Sequence, residues 1–367
     1  LLKLNIPTAL KESDSLTFHQ ALATYQPTPL ESLPNLAKQL NIGKLWVKDD
    51  SKRFGLNAFK ALGASFAIHR TLLNSSTKNP TTFCTATDGN HGRAVAWSAA
   101  QFGHKSVIYV PDSTVEARIQ NIKNEGAEVI IFEGNYDESV KKAYETATEN
   151  NWVFIQDTAW KDYVDIPCDI MAGYLTQFIE MESQINTPDI PQIDFVFLQA
   201  GVGSWAAAAI WYYVNRYQEN SPTFICVEPT TTDCFFESIL NGKISATKGS
   251  QKTIMAGLNC GTPSSLAWPF LKFGVTAFLR IEDEWANKAM KIFYHPQKND
   301  PEIISGESGA AGLAGLLALQ LDPRFLSAKT TLGLTNTSRV LVINTEGDTD
   351  PEAFQETVKT PASLFRS

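Results

Sequence analysis

Short runs of hydrophobic residues without alternation between two faces recur along the chain and predict buried β-strands. These runs are rich in Val, Ile and Phe and comprise KSVIYV (105–110), AEVIIF (127–132), DFVFLQA (194–200), PTFICVE (222–228) and SRVLVINT (338–345). Segments that are apolar on both faces are typical of strands in a parallel sheet that is covered by helices on each side. The pattern therefore favours buried sheets at the centre of the molecule.

Segments with the hydrophobic period of an α-helix lie between these runs. We predict helices at 91–102, 115–125, 137–150, 204–217 and 309–319, and a further helix within 58–70. An order of β-α-β-α implies parallel pairing, with helices on both faces of a sheet. The predicted fold class is therefore α/β, with three αβα layers and doubly wound, mostly parallel sheets.

The length of 367 residues and one change in composition indicate the domain organisation. At about 100–200 residues per domain, the chain is long enough for two domains. A polar stretch near 184–193 contains two prolines and no helical period, which indicates a linker or boundary. We predict a large domain of residues 1–85 and 185–367, and a small domain of residues 86–184.

Composition and charge exclude several classes of protein. Hydrophobic residues make up 43% of the chain and charged residues 19%, which is usual for a globular protein rather than a disordered or fibrous one. The 31 basic and 39 acidic side chains give a net charge of −8, and no basic stripe is visible. Nucleic acid and anionic membranes are therefore not expected as partners.

Cysteine usage and the apolar stretches indicate where the protein resides. The five cysteines are odd in number, widely spaced and without a CxxC pair, so we expect neither a disulfide framework nor a metal site. They are interpreted as small buried residues in a reducing compartment. Lys3, Pro7 and Lys11 interrupt the first apolar residues, and no apolar stretch approaches the about 20 residues that cross a bilayer. We therefore expect a cytoplasmic protein.

The first segment that suggests chemistry is NAFKALGA, in which Lys60 stands at the predicted start of a helix among small residues. Most lysines lie at the surface, and a surface position alone would explain this one. A desolvated lysine, however, has a lowered pKa and can form a Schiff base with an aldehyde. Both interpretations of Lys60 remain open from the residues alone.

The second segment, TDGNHG (87–92), follows the strand-like run TTFCTA (81–86). Asn90 could cap the next helix, which would leave the segment without a further role. A helix cap does not explain why a carboxylate, an amide and an imidazole meet at the carboxyl end of a strand, where open α/β sheets bind ligands. Asp88 and Asn90 are therefore candidate site residues.

The third segment, AGVGSW, joins a predicted strand to a predicted helix. Its backbone amides at 201–204 would face an anion at the helix N-terminus. The segment also fits the loose dinucleotide pattern G-x-G-x-x-A, with Glu228 at the end of the next strand as a ribose-binding acid. An NAD-binding Rossmann enzyme that uses Gly201, Gly203 and Glu228 is thus an alternative from a different class.

The fourth segment, NTEGD (344–348), ends the last predicted strand. The hydroxyl of Thr345 could pair with a ring nitrogen of a ligand while staying uncharged. An ordinary turn after a strand explains the segment about equally well.

Together and in this order, the four segments resemble the fold type II pyridoxal-phosphate enzymes, the family of threonine dehydratase, serine racemase and the tryptophan synthase β-chain. The resemblance spans residues 59–350. It is greatest to the members that act on 2,3-diaminopropionate, and the segments that carry it are NAFKALGA, ATDGNHGRAVAW, IQDTAW, AGVGSW, IMAGLNCG, ISGESGA and INTEGDTDP. The wider family usually has serine where this chain has Asp88.

The resemblance implies pyridoxal 5'-phosphate as the cofactor and a small amino acid as the substrate, and a homodimer is expected. Lys60 would hold the cofactor covalently, Asn90 would hydrogen-bond the ring 3-hydroxyl, and Thr345 would face the pyridine nitrogen. The cofactor phosphate would be bound by the amides of Gly201, Val202, Gly203 and Ser204.

The resemblance also implies an α,β-elimination that converts 2,3-diaminopropionate to pyruvate and two molecules of ammonia. Lys60 would remove the Cα proton of the L-isomer, and Asp88 that of the D-isomer from the other face. Asp88 and Asp157 would hold the 3-ammonium group, although Asp157 could instead cap a helix. The alternative within the same fold is a serine or threonine dehydratase, or a lyase for another 3-substituted alanine. Glu307 in ISGESGA is consistent with a helix start and receives no role.

Overall fold

The computed structural model describes Leu4 and residues 6–75, 80–185 and 193–364. The strands are β1 (Leu30–Ser32), β2 (Lys44–Asp49), β3 (Thr82–Ala86), β4 (Lys105–Pro111), β5 (Glu128–Phe132), β6 (Val153–Phe154), β7 (Phe195–Gln199), β8 (Thr223–Pro229), β9 (Val275–Ile281) and β10 (Arg339–Asn344). The helices are α1 (Thr8–Lys11), α2 (Ser15–Gln20), α3 (Pro34–Gln39), α4 (Lys60–Asn74), α5 (Asn90–Gln101), α6 (Glu116–Asn124), α7 (Tyr136–Glu149), α8 (Asp165–Gln184), α9 (Ser204–Tyr217), α10 (Cys234–Asn241), α11 (Trp268–Gly274), α12 (Asp283–Tyr294), α13 (Ala311–Leu321), α14 (Leu326–Leu332) and α15 (Pro351–Val358). None of these helices combines the length and hydrophobicity that crossing a bilayer requires.

The strands form two sheets. The larger sheet has six strands in the order β1-β2-β10-β7-β8-β9, and the smaller has four in the order β5-β4-β3-β6. Every described pairing is parallel except that of β1 with β2. The predicted α/β class with mostly parallel sheets is therefore confirmed.

All five hydrophobic runs are strands, and the five helices predicted at 91–102, 115–125, 137–150, 204–217 and 309–319 are α5, α6, α7, α9 and α13, with ends within two residues. The helix predicted within 58–70 begins at Lys60 and continues to Asn74. The expectation of burial on both faces is wrong for β5, in which Ile131 is 58% exposed. This strand lies at the edge of the smaller sheet, so its hydrophobic residues are covered less completely.

The division into two domains stays a prediction, and the linker near 184–193 lies mostly outside the described residues. The boundary between 85 and 86 would separate most of β3 from the sheet in which it pairs with β4 and β6. One hydrophobic core contains residues from both sheets, among them Phe83 and Val196. The two sheets therefore share one hydrophobic core, and each also packs a separate cluster of its own.

Helix α4, which begins at Lys60, packs closely against α8. A Cβ atom on Gly173 of α8 would lie 2.4 Å from the carbonyl oxygen of Leu62. Only glycine permits such an approach of one backbone to another. Because this contact lies within one turn of Lys60, it sets the position of the first turn of α4.

A buried cluster of four charged side chains joins β2 and its following turn to α8. Lys48 Nζ donates to Glu180 at 2.9 Å, and Arg53 donates to Glu180 at 2.7 Å. Arg53 also donates to Asp50 at 2.9 Å, and the four side chains are almost inaccessible to solvent. Each charge in the cluster therefore depends on its partners for compensation.

Replacing Glu180 with glutamine is expected to lower the free energy of unfolding by about 3–5 kcal/mol, because two buried cations would then face one carboxylate. Urea denaturation followed by fluorescence measures the change. Glu182→Gln on the same helix is the control, because its partner Arg216 is exposed and such pairs contribute about 0–1 kcal/mol. Equal losses in the two variants would contradict the prediction.

Candidate active site

The residues predicted from the sequence line one cavity at the carboxyl ends of strands from both sheets. The loops after β3, β7 and β10 contribute the segments at 87–90, 201–204 and 345–346. Parallel strands end at the same edge of a sheet, which brings segments that are distant in sequence together. The cavity contains all of Lys60, Asp88, Asn90, Asp157, Gly201, Val202, Gly203, Ser204 and Thr345.

Lys60 and Asp157 form an ion pair inside this cavity. The Nζ of Lys60 donates a hydrogen bond to the Asp157 carboxylate, and the two side chains are 19% and 4% exposed. Burial acts to lower the pKa of Lys60, but the attraction of Asp157 outweighs it, so the pKa is raised. The surface interpretation of Lys60 is therefore wrong, and so is the expectation of a lowered pKa, because the Asp157 carboxylate outweighs burial. Asp157 binds an amine rather than capping a helix.

His91 lies behind this ion pair as a neutral ring. Its Nε2 is 2.9 Å from the carbonyl oxygen of Ile155, and a carbonyl only accepts, so this nitrogen carries the proton. Its Nδ1 is 3.9 Å from the Asp157 carboxylate. Burial lowers the pKa of His91, which favours the uncharged form. The charges at this end of the cavity are therefore those of Lys60 and Asp157.

Asp88 faces the cavity from the turn that precedes α5. Burial raises the pKa of its carboxyl to about 7, Arg118 opposes the rise, and Asp137 adds to it. A carboxyl group with a pKa near 7 can take up or release a proton at neutral pH. The residue type and position therefore suit a general base.

Asn90 is the first residue of α5 and not its cap. Gly89 occupies the N-cap position without a side-chain hydrogen bond to the helix. The side-chain amide of Asn90 instead donates to the carboxylate of Glu346, whose other oxygen accepts from the backbone N–H of Ser308 at 3.0 Å. The helix-cap interpretation is therefore wrong. The Asn90 amide instead pairs with Glu346, and both side chains line the cavity.

The segment at 201–204 forms a tight turn before α9. Gly203 is the N-cap residue of α9 and has φ = +89°, a conformation that favours glycine. A Cβ atom at this position would also lie 2.3 Å from the ring of Phe235. The backbone N–H groups of the first helical turn have no partners within the helix, so this turn suits an anion such as phosphate.

Thr345 is buried at the end of β10 and is held by Gln199. The Nε2 of Gln199 donates to the Thr345 hydroxyl at 3.0 Å. The hydroxyl retains its own proton, which it can donate to an acceptor in the cavity. Its neutral character agrees with the expected partner of a ring nitrogen.

Glu228 is not among the described residues that line the cavity. Its carboxylate accepts hydrogen bonds from the backbone N–H groups of Phe235 and Phe236, at 2.8 and 2.9 Å, at the start of α10. Burial raises the pKa of Glu228 to about 8 despite these bonds. The alternative of an NAD enzyme with Glu228 as the ribose-binding acid is therefore contradicted.

Several residues of the cavity did not receive a role from the sequence, namely Arg118, Tyr136, Gln199, Cys260, Ser308 and Glu346. Cys260, Ser308 and Glu346 lie in segments that carry the family resemblance, which was the available signal. Tyr136 lies outside those segments, and its hydroxyl accepts from the Gln156 side chain at 2.8 Å. No local pattern distinguishes it from an ordinary helix residue.

Comparison with known proteins finds relatives along almost the whole chain. A family model described as pyridoxal-phosphate dependent enzyme matches residues 22–338. Diaminopropionate ammonia-lyase of Escherichia coli strain K12 is 42% identical over 356 residues, which cover 93% of this chain and 89% of that protein. The protein of the same name from Salmonella typhimurium is 40% identical, with coverage of 94% and 90%.

A solved structure agrees with the sequence comparisons. It contains diaminopropionate ammonia-lyase from Escherichia coli in complex with an aminoacrylate-PLP azomethine reaction intermediate. The similarity has a TM-score of 0.88 at 41% identity and covers 96% of this chain and 93% of that chain. The arrangement of sheets that forms the cavity is therefore shared with that protein.

Proposed function

The chain belongs to the pyridoxal-phosphate dependent enzymes and, among them, to the diaminopropionate ammonia-lyases, and we propose from this that it eliminates ammonia from 2,3-diaminopropionate. The products are pyruvate and two molecules of ammonia, the second released when the enamine product hydrolyses. The observation that carries the proposal is the presence of Lys60, Asp88 and Asp157 in one cavity. Family membership confirms the expected fold type II architecture and cofactor.

The residues present fit pyridoxal phosphate. Lys60 places a primary amine inside the cavity, and the turn before α9, which also lines it, offers the unpartnered backbone N–H groups of a helix N-terminus to a phosphate. Asn90 and Thr345 would face the ring hydroxyl and the ring nitrogen. When bound, the cofactor withdraws electrons from the substrate Cα and so acidifies its proton.

Lys60 and Asp88 serve as two separate bases in this proposal. Lys60 takes the Cα proton of the L-isomer, and Asp88 takes that of the D-isomer. The Asp157 carboxylate holds the Lys60 amine in position, and because this ion pair raises the pKa of the amine, Lys60 accepts a proton only once the pair is separated. Asp88 can be ionised at neutral pH because its pKa is about 7.

The same carboxylates explain a preference for a substrate with a second amino group. The 3-amino group of 2,3-diaminopropionate is a cation when it arrives and leaves as ammonia. Asp88 and Asp157 can pair with that cation, whereas the hydroxyl group of serine or threonine is neutral. A charged hydrogen bond contributes about 1.5–3 kcal/mol more than no bond, so two carboxylates suffice for a marked preference.

The test is a substrate panel with the purified holoenzyme. Pyruvate and ammonia are measured from D- and L-2,3-diaminopropionate and from L-serine, and ketobutyrate is measured from L-threonine. We expect two ammonia per pyruvate from the diamine and a kcat/KM at least about 100-fold lower for the two hydroxy amino acids. Comparable rates with serine or threonine would favour a dehydratase instead.

A homodimer is part of the proposal. The apolar side chains of Leu240 and Phe273 are 66% and 60% exposed. Their segments lie together, because Lys272 Nζ donates to the carbonyl oxygen of Gly242 at 3.0 Å. Exposed apolar patches of this kind support association. Light scattering should give twice the 40.5 kDa mass of one chain.

A cytoplasmic location is also proposed. The five cysteines, Cys84, Cys168, Cys226, Cys234 and Cys260, are buried free thiols, as expected in a reducing compartment. Cell fractionation with an antibody to the protein checks the location, and recovery outside the cytoplasmic fraction would contradict it.

A further inference from the structure

Arg118 and Glu307 are two charged residues at the active-site cleft to which the proposed mechanism gives no role. Arg118 lies on α6 and Glu307 in the segment before α13, and their nearest charged atoms are 3.8 Å apart. Both line the outer part of the cleft together with Asp88. Arg118 and Asp88 both also line the inner cavity, so the two side chains lie together where the cavity meets the outer cleft.

The position of Arg118 is set by packing against the turn that carries Asp88. A Cβ atom on Gly89 would lie 2.9 Å from Cδ of Arg118, so this side chain rests directly on the turn. Arg118 is 8% exposed, and its Nε has no hydrogen-bond partner within the described part of the chain. The guanidinium is therefore a buried cation that no hydrogen-bonded carboxylate fully compensates.

We propose that Arg118 is a positioning residue that acts through Asp88: its guanidinium is shared between Asp88 and Glu307 and sets how much of Asp88 is ionised. This inference rests on the proposed function, in which Asp88 is the base for the D-isomer. It assigns Glu307 the role of a competing carboxylate. Turnover of the D-isomer therefore depends on both residues, and turnover of the L-isomer through Lys60 does not.

The charges around the two carboxyl groups support this arrangement. Arg118 lowers the pKa of Asp88, and Asp137 raises it. The charge of Asp88 in turn raises the pKa of Tyr136 and of Cys260. Burial raises the pKa of Asp88 to about 7, and Arg118 opposes the rise. Of the charged groups that affect the pKa of Asp88, Arg118 is the cation.

Burial and Arg118 also have opposite effects on the pKa of Glu307. Burial and the nearby Glu346 raise the pKa of its carboxyl to about 7, Arg118 lowers it, and Asp350 raises it further. Two acids with similar pKa values thus depend on one guanidinium. Neutralising Glu307 leaves that guanidinium to Asp88, whereas neutralising Arg118 removes the compensation from both.

The test compares Arg118→Met and Glu307→Gln with the unmodified holoenzyme. Removing the guanidinium raises the pKa of Asp88, so the acidic limb of kcat/KM for the D-isomer should move up by about one pH unit, the lower end of the effect of one nearby opposite charge. Removing the Glu307 charge should move that limb down. For the L-isomer, Asp88 contributes only to holding the 3-ammonium group, so the pH profile of kcat should not move in either variant and kcat/KM should change by no more than about tenfold.

A second measurement reports on Asp88 without activity. Carbon-13 NMR titration of holoenzyme labelled at the aspartate carboxyl, with the Asp88 signal assigned by its loss in Asp88→Asn, should show the same two shifts of opposite sign. The matched control is Lys123→Gln, which removes an exposed cation from α6, the helix that carries Arg118. It should change neither the pKa of Asp88 nor the pH profile of kcat/KM.

The inference is overturned if the Asp88 titration moves in neither variant, or if both move it in the same direction. A parallel shift of the D- and L-profiles also overturns it, because that would indicate a structural role. If Arg118→Met does not fold, Glu307→Gln alone must still give the downward shift. Failure of the unmodified enzyme to act on either isomer would refute the proposed function instead, and the NMR titration would still decide the pairing.

Discussion

Replacing Lys60 with alanine is expected to abolish turnover of both isomers of 2,3-diaminopropionate, by at least about 10³-fold. Among the described residues that line the cavity, Lys60 is the only lysine, so no other amine of that lining can take its place. The visible absorption of the purified enzyme should disappear with the covalent link. Spectroscopy and a pyruvate assay on the same preparation measure both effects.

The control for this experiment is Lys52→Ala, which removes an exposed lysine from the preceding turn and should leave the spectrum and the rate unchanged. Borohydride reduction of the unmodified enzyme followed by peptide mapping should label Lys60. The substitution leaves the buried Asp157 without its amine, so the fold of the variant is checked by thermal denaturation. Label on a different lysine would contradict the prediction.

Asp88→Asn should separate the two isomers. An asparagine cannot take up the Cα proton, so turnover of the D-isomer should fall by at least about 10³-fold. Turnover of the L-isomer should fall by no more than about tenfold, because Lys60 is its base and the loss of one carboxylate weakens only the hold on the 3-ammonium group. Separate kcat and KM values for each isomer are required.

Asp137→Asn is the matched control for this substitution. Asp137 is an exposed carboxylate close enough to raise the pKa of Asp88, and the same change of charge is made there. We expect this variant to retain turnover of both isomers. Equal losses for the D- and L-isomers in Asp88→Asn would show that the two protons are not removed by separate bases.

Local patterns predicted strands with continuous hydrophobic runs but not β2, which lies between β1 and β10 and whose burial depends on another element. Strands β7 and β10 have continuous hydrophobic runs because helices cover both of their faces. Strand β2 has the sequence KLWVKD and was not predicted as a strand. Its Lys48 is buried only because Glu180 of α8 compensates the charge, and a local pattern does not contain that partner.

The candidate site also contains residues that sequence motifs predict and residues that only the packing brings into the cavity. The sequence motifs identified segments that the structure brings into one cavity, because turns at the ends of strands need particular residues such as Gly203. Arg118 and Tyr136 reach the cavity from α6 and α7, whose sequences have no motif. Their importance follows from the packing of these helices, to which distant parts of the chain contribute.

From its order of residues alone, this chain shows its α/β class, the strands at the centre of each sheet, the helix that follows the glycine turn and the segments that carry chemistry. These features depend on hydrophobic periodicity and on backbone conformations that adjacent residues impose. The folded molecule adds the pairing of Lys60 with Asp157 and the proximity of Arg118 to Glu307. Burial and charges far apart in sequence govern the pKa values of these groups, so protonation could be assigned only once the chain was folded.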